Sequence, residues 1–215
     1  MSIWYLFPSA NSQRAAETTA KWKACGYKVG ILTDGDPGEV TFPVDKHWHI
    51  DAFISWGHAQ NLMIADVMKA DSKLGAVIAG SDDVDPDPTQ SDGMIIMSLV
   101  MEHSGFNFVM QPTGDKYGAW ETCAPHPWLG WEYLERNPAP FFEGYHHLYV
   151  DQEFRDVATA QGVFSTRDDI VQYHHHWGRE GELDTLPPER RQSIKGHLEI
   201  DRALYEERKA QGFPR

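Results

Sequence analysis

A chain of 215 residues with 41% hydrophobic and 24% charged residues can bury one substantial core and sits near globular averages, which excludes extended disorder and fibrous classes. With 19 Lys and Arg against 32 Asp and Glu, the net charge is −13, which argues against a nonspecific nucleic-acid binder of the usual basic kind. Cys25 and Cys123 are too few and too isolated for a disulfide framework or metal knuckle, and Met1 to Pro8 lacks a basic leader while no apolar run reaches about 18 residues, so a soluble cytoplasmic protein with reduced thiols is expected.

Ile3-Trp4-Tyr5-Leu6-Phe7 is a short apolar and aromatic run stopped by Pro8 and Ser9, the pattern of a buried strand. Gln13 to Ala24, with Ala15, Ala16, Ala20 and Trp22 ahead of Gly26, predicts a helix with a glycine stop. Tyr27, Val29 and Ile31 alternate up to the turn Asp34-Gly35-Asp36-Pro37. The chain thus opens β-α-β, the start of a doubly wound parallel sheet whose ligands lie beyond the carboxyl ends of its strands. A strand over Trp48 to Ile54, a helix over His58 to Ala70 and a buried strand over Leu74 to Ala79 are predicted next. Thr89 or Ser91 can cap a helix from Gly93 to His103, and Phe106, Phe108 and Met110 alternate as a further strand. Gln111 to Phe142, rich in Pro, Gly and Trp, reads as long functional loops. After Pro187-Pro188 a charged helix carries Ile194, Leu198 and Tyr205 on one stripe, which should pack on the flank of the domain.

The strand ending at Ala79 runs into Gly80-Ser81-Asp82-Asp83-Val84-Asp85-Pro86-Asp87-Pro88, and from Asp82 to Asp92 there are five aspartates and no Lys or Arg. Carboxylates this dense repel one another unless a cation neutralises them, and Mg²⁺ or Mn²⁺ suits one or two carboxylates plus substrate phosphates. A solvated acidic turn is the plainer alternative, but the end of a buried parallel strand is where this architecture binds ligands.

Gly57-His58-Ala59-Gln60-Asn61-Leu62, the helix after it, and Val77 through Pro88 together resemble the core of GT-A nucleotide-sugar glycosyltransferases, particularly the family 2 type. In that family a Gly-x-Ala-x-Asn helix start precedes a strand ending in Asp-x-Asp. Phe7-Pro8-Ser9 followed by Arg14 is similar to the family's first strand and nucleotide-holding loop, and Asp34 matches the place where members contact the base. The resemblance covers residues 3 to 177 and implies a GT-A-like, Rossmann-type α/β fold. Its implied nucleotide-sugar contacts are Pro8, Ser9, Arg14, Asp34, Asn61, Asp82 and Asp83. Aligned on Pro86-x-Pro88 the motif falls on Ser81 and Asp83; read literally it falls on Asp83 and Asp85. Asp83 serves both registers as a metal ligand, with Asp85 a second candidate and Asp82 a contact to ribose or metal-bound water.

Val150-Asp151-Gln152-Glu153-Phe154 resembles the family's Glu-Asp-x-Asp-Leu segment, with Val150 replacing the first acidic residue. The resemblance makes Asp151 the general base and Glu153 a supporting carboxylate, paired with Arg155 or the acceptor. A cap on the helix Gln152 to Ala160 is the plainer reading of Asp151. In Val171 to Trp177, alternation puts His174 and His176 on one face and His175 on the other. Similarity to GT-A enzymes that use a His of the C-terminal region as a metal ligand points to His174 or His176. Asp115, Trp131 and Glu132 are the acceptor or sugar contacts implied between the two acidic sites, with Trp120 and Trp128 as stacking candidates; core filling is the alternative for each tryptophan.

The expectation is therefore a GT-A-like domain over residues 1–180 with a C-terminal helical extension over 181–215 packing on it. Its expected reaction is Mn²⁺- or Mg²⁺-dependent, inverting transfer from a nucleotide-diphosphate sugar to a hydroxyl of a small molecule, glycan or modified nucleobase, away from any membrane. A sugar-phosphate nucleotidylyltransferase is the second reading, weakened because Ser9 to Arg14 contains no glycine. A noncatalytic nucleotide-sugar-binding module is the third.

Overall fold

A computed structural model describes residues 1–35, 40–90, 92–116, 122–146, 148–176 and 188–214, with 92–94 and 188–195 as backbone only. Five successive residues of β1 (Ser2–Pro8) are buried, as an interior parallel strand covered on both faces requires. α1 (Ser12–Ala24) starts where the Asn11 side chain accepts the Arg14 N–H, and stops before Gly26, whose φ is +95°. β2 (Lys28–Asp34) and β3 (Lys46–Ile50) follow, and α2 (Trp56–Ala70) begins earlier than predicted because Ser55 caps it. Then come β4 (Leu74–Ala79), β5 (Val84–Pro86), α3 (Asp92–His103), β6 (Val109–Pro112), β7 (Trp128–Gly130), α4 (Trp131–Arg136), α5 (Val150–Ala160), β8 (Phe164–Arg167), β9 (Gln172–His174) and α6 (Pro188–Ala210).

The main sheet has the order β3-β2-β1-β4-β7-β6-β8 and is parallel except at β7. The mostly parallel α/β architecture read from the sequence is thus the observed one. β5 and β9 pair antiparallel as a separate ribbon. The stretch 111–142, expected as loops alone, contains β7 and α4. A strand of three residues is too short to declare itself by period-2 alternation, and Trp128 within it is core filling at 1% exposure. The expected boundary at residues 180/181 lies outside the described residues.

Alternation along β1 divides the core. Trp4 and Leu6 face a cluster with Met63, Ile64 and Phe154, while Ile3, Tyr5 and Phe7 face one with Trp22, Ile31 and Ile78. The second cluster also fixes the acidic segment. Tyr5 stacks on Trp22 at 3.8 Å, and its hydroxyl donates to the Ser81 carbonyl (2.6 Å) and accepts the Ser81 N–H (3.1 Å). The Trp22 indole N–H donates to the Val84 carbonyl (2.8 Å) and the Thr18 hydroxyl to the Asp82 carbonyl (2.8 Å). Gly80 makes the turn possible, since a Cβ there would lie 2.2 Å from Tyr5 Cζ. Gly80→Ala should therefore destabilise the protein by about 1–3 kcal/mol through overpacking, measured as a lower urea midpoint at unchanged slope.

Candidate functional site

The carboxyl ends of β1, β2 and β4 open on one side of the sheet, and the sequence-predicted residues there divide sharply. Ser9, just past β1, donates its hydroxyl to Asp82 Oδ2 (2.6 Å), and Arg14 in α1 reaches Asp82 Oδ1 (3.3 Å). Ser9, Arg14 and Asp82 thus form one cluster beside Pro8, while Asp34 ends β2 opposite Ile50 of β3. Asp83 takes the Ser81 hydroxyl on one oxygen and faces His174 Nε2 at 3.5 Å on the other. Burial alone would raise its pKa, but His174 and Ser81 outweigh burial and hold the carboxyl well below the usual range.

β9 lies beside this carboxylate because Val84 pairs with His174 and the His175 N–H donates to the Asp83 carbonyl (2.8 Å). His176 packs edge-on to His174 at 5.0 Å, and the His174 N–H donates to Asp115 Oδ2 (3.4 Å). Asp83, His174, His176 and Asp115 are therefore brought together. Asp85 is not with them: its carboxylate pairs with Lys21 (2.6 Å) and His175 (2.9 Å), so the Ser81/Asp83 register fits the geometry better than Asp83/Asp85. Among the described residues no three His, Cys, Asp or Glu side chains are grouped so that they could hold a metal ion. The Asp83–His174 pair, one carboxylate and one imidazole, fits the protein share of a Mg²⁺ or Mn²⁺ site completed by substrate phosphates.

His126 was not found by sequence reasoning. It is buried, with its ring 4.5 Å from that of His174. Burial, then the His174 charge, push its pKa down to about 3, with Asp83 opposing. It therefore presents a neutral imidazole to the cluster at neutral pH. Its position depends on two long-range bonds, His126 N–H to Gln111 Oε1 (3.1 Å) and Ala79 N–H to the Pro127 carbonyl (3.0 Å), which no local pattern encodes.

The second acidic segment is divided as well. α5 is not capped by Asp151: its N-cap is Tyr149, in the left-handed region at φ +67° with no side-chain cap, a conformation that costs of order 1–3 kcal/mol. Asp151 lies in the first turn, where its negative charge suits the helix dipole, and its carboxylate hydrogen-bonds the Cys123 thiol. Burial first, then the Asp151 charge, push that thiol far up. Glu153, expected to pair with Arg155 or the acceptor, is instead buried and held by Arg208, with Nη2 to Oε1 and Nε to Oε2 both at 2.8 Å, and by the Tyr145 hydroxyl at 2.6 Å. With both oxygens occupied, it is an anchor for α6.

Asn61, expected at the nucleotide sugar, is engaged elsewhere. Its Nδ2 donates to the Phe141 carbonyl (2.7 Å) and Glu143 Oε1 (2.9 Å), and its Oδ1 accepts the Phe141 N–H (3.1 Å). Trp131 and Glu132 also depart from expectation. Antiparallel pairing of Ala76 with Gly130 and Ile78 with Trp128 carries the chain to the amino end of β4, opposite Asp83. A cavity of about 490 Å³ at that far end is lined by Met1, Leu74, Phe106 and Trp131, and by none of Ser9, Arg14, Asp82, Asp83 or His174. Trp120 lies outside the described residues. Asn61→Ala should accordingly lower stability by about 2–4 kcal/mol, because it orphans buried backbone groups of Phe141, while nucleotide affinity measured by calorimetry stays near wild type.

No protein-family model matches the chain, and no curated protein matches it in sequence. By structure it is similar to S. aureus TarS 1–349, with a TM-score of 0.57 and 14% identity over 80% of this chain, which spans 60% of the TarS chain. It is also similar to a glycosyltransferase involved in glycosylation of the major capsid of PBCV-1, with a TM-score of 0.54 and 9% identity over 86% of this chain and 100% of that one. With its mostly parallel seven-stranded sheet, the chain has a GT-A-like α/β fold.

Proposed function

We propose that the chain transfers a sugar from a nucleotide-diphosphate donor to an acceptor hydroxyl, at the carboxyl ends of β1 and β4. What carries this reading is the junction of Ser9, Arg14 and Asp82 with Asp83 and His174, on a fold shared with glycosyltransferases. Arg14 and the Ser9 loop bind and orient the nucleotide and its phosphates. Asp83 and His174 would hold Mg²⁺ or Mn²⁺, which when bound supplies charge stabilisation to the departing diphosphate. Asp151 takes the acceptor proton as the hydroxyl attacks in line, giving inversion. Asp115, whose Oδ2 accepts the His174 N–H, would hold a sugar hydroxyl. The acceptor is a small molecule, a glycan or a modified nucleobase. Among the described residues no helix is long and apolar enough to cross a membrane, and Cys25 and Cys123 form no disulfide.

Two substitutions separate the roles. Asp83→Ala should abolish Mn²⁺-dependent binding of nucleoside diphosphates, tested by calorimetry across a panel of bases. Equal affinity in Mn²⁺ and in EDTA for the unaltered protein would refute the metal assignment. Asp151→Asn should leave that binding intact and slow release of nucleoside diphosphate from the donor in the presence of acceptor by about 10²–10⁴-fold. A wild-type rate in the folded variant would remove Asp151 as base. Release of pyrophosphate from a nucleoside triphosphate and a sugar phosphate would instead identify a nucleotidylyltransferase.

A further inference from the structure

α6 is joined to the candidate acceptor side by buried charge rather than by apolar packing alone. Asp201, fully buried on α6, accepts the backbone N–H groups of His146 (2.9 Å) and Leu148 (2.8 Å). Arg202 Nε donates to the Tyr149 hydroxyl (2.9 Å). One to two turns on, Arg208 makes its two-pronged pair with Glu153, donates to the Pro214 carbonyl (2.9 Å) and lies 3.4 Å over the Phe142 ring. These contacts bracket the left-handed Tyr149 and the first turn of α5 from both sides. Asp151 sits inside the bracket, bonded to the Cys123 thiol.

We propose that Arg208 is a positioning residue: through Glu153 it fixes the first turn of α5 and so the direction of the Asp151 carboxylate. This rests on the reading of Asp151 as the base, yet its geometry can be tested without donor or acceptor. A guanidinium holding both carboxylate oxygens in a fork defines the rotation of its partner as a point charge does not. Glu153 is two residues from Asp151 on the same helical turn, so a rotation or fraying of that turn moves both. Arg155, which also belongs to α5, pairs with Asp156 and lies over Phe164, leaving the Glu153 fork to α6.

Cys123 is a built-in reporter, because burial and, after it, the Asp151 carboxylate beside it push its thiol pKa up. The rate of Cys123 alkylation by iodoacetamide between pH 7.5 and 9.5, followed by mass spectrometry in the full chain carrying Cys25→Ser, reads the Asp151 position. Each unit by which the thiol pKa falls multiplies the thiolate about tenfold. Arg208→Gln should raise the rate about tenfold or more, Arg208→Lys should give a smaller rise, and Asp151→Asn alone should raise it as Arg208→Gln does. Adding Arg208→Gln to Asp151→Asn should then change little further, the non-additivity of two residues acting through one contact. A folded Arg208→Gln protein with the unaltered rate overturns the proposal. So does a rise of the same size whether or not Asp151 is present, which would mean general loosening. If Arg208→Gln does not fold, Arg208→Lys carries the same pair of comparisons. Failure of sugar transfer with the expected thiol behaviour would instead fault the assignment of Asp151 as base.

Discussion

The site depends on how the segment Gly80 to Val84 is held once β4 ends. Tyr5 reaches across from β1 to take both the carbonyl and the N–H of Ser81 on one hydroxyl, and Trp22 and Thr18 of α1 take the carbonyls of Val84 and Asp82. A buried carbonyl or N–H left alone costs about as much as a lost hydrogen bond. Three side chains from the first β-α unit therefore replace the ladder that β4 no longer provides. In doing so they turn Asp82 toward Ser9 and Arg14, and Asp83 toward His174. Their own rigidity comes from stacking, since Tyr5 and Trp22 lie nearly parallel at 9° and have no room to turn in a packed core.

Much of this was legible before the structure. A β-α-β opening, an apolar strand at Leu74 to Ala79 and a dense run of aspartates after it are local patterns, and they led to the parallel sheet and to Asp82 and Asp83 at its carboxyl edge. Roles decided by partners far away in sequence were not legible. Glu153 has the spacing of a catalytic carboxylate, but Arg208, 55 residues on, occupies it. Asn61 begins a helix as a nucleotide contact would, but Phe141, 80 residues on, takes its amide. Trp131 and Glu132 follow a strand too short to register as one, so neither its existence nor its antiparallel direction could be read, and direction decides which end of the sheet they reach. His126 lies between two prolines with no periodicity at all, and its hydrogen bond to Gln111 and its place beside β4 bring it to Asp83.

Charge adds a constraint that composition states only as a net −13. Two like charges 4 Å apart at an effective dielectric of 20 repel by about 4 kcal/mol, so each carboxylate near the strand ends needs its own compensation. Asp82 has Arg14, Asp85 has Lys21 and His175, Glu143 has His58, and Glu153 has Arg208. Among the described residues Asp83, like Glu143, is paired with a histidine and with no Lys or Arg. Burial would raise the Asp83 pKa, but His174 and the Ser81 hydroxyl hold its carboxyl well below the usual range, while buried His126 is neutral at neutral pH. A carboxylate held by a hydroxyl and an imidazole retains capacity to bind a cation once the imidazole is neutral, whereas one already paired with a guanidinium or ammonium must first give that partner up. Under the proposed function Asp83, with His174, would therefore be where a divalent ion is held without displacing a guanidinium or ammonium group.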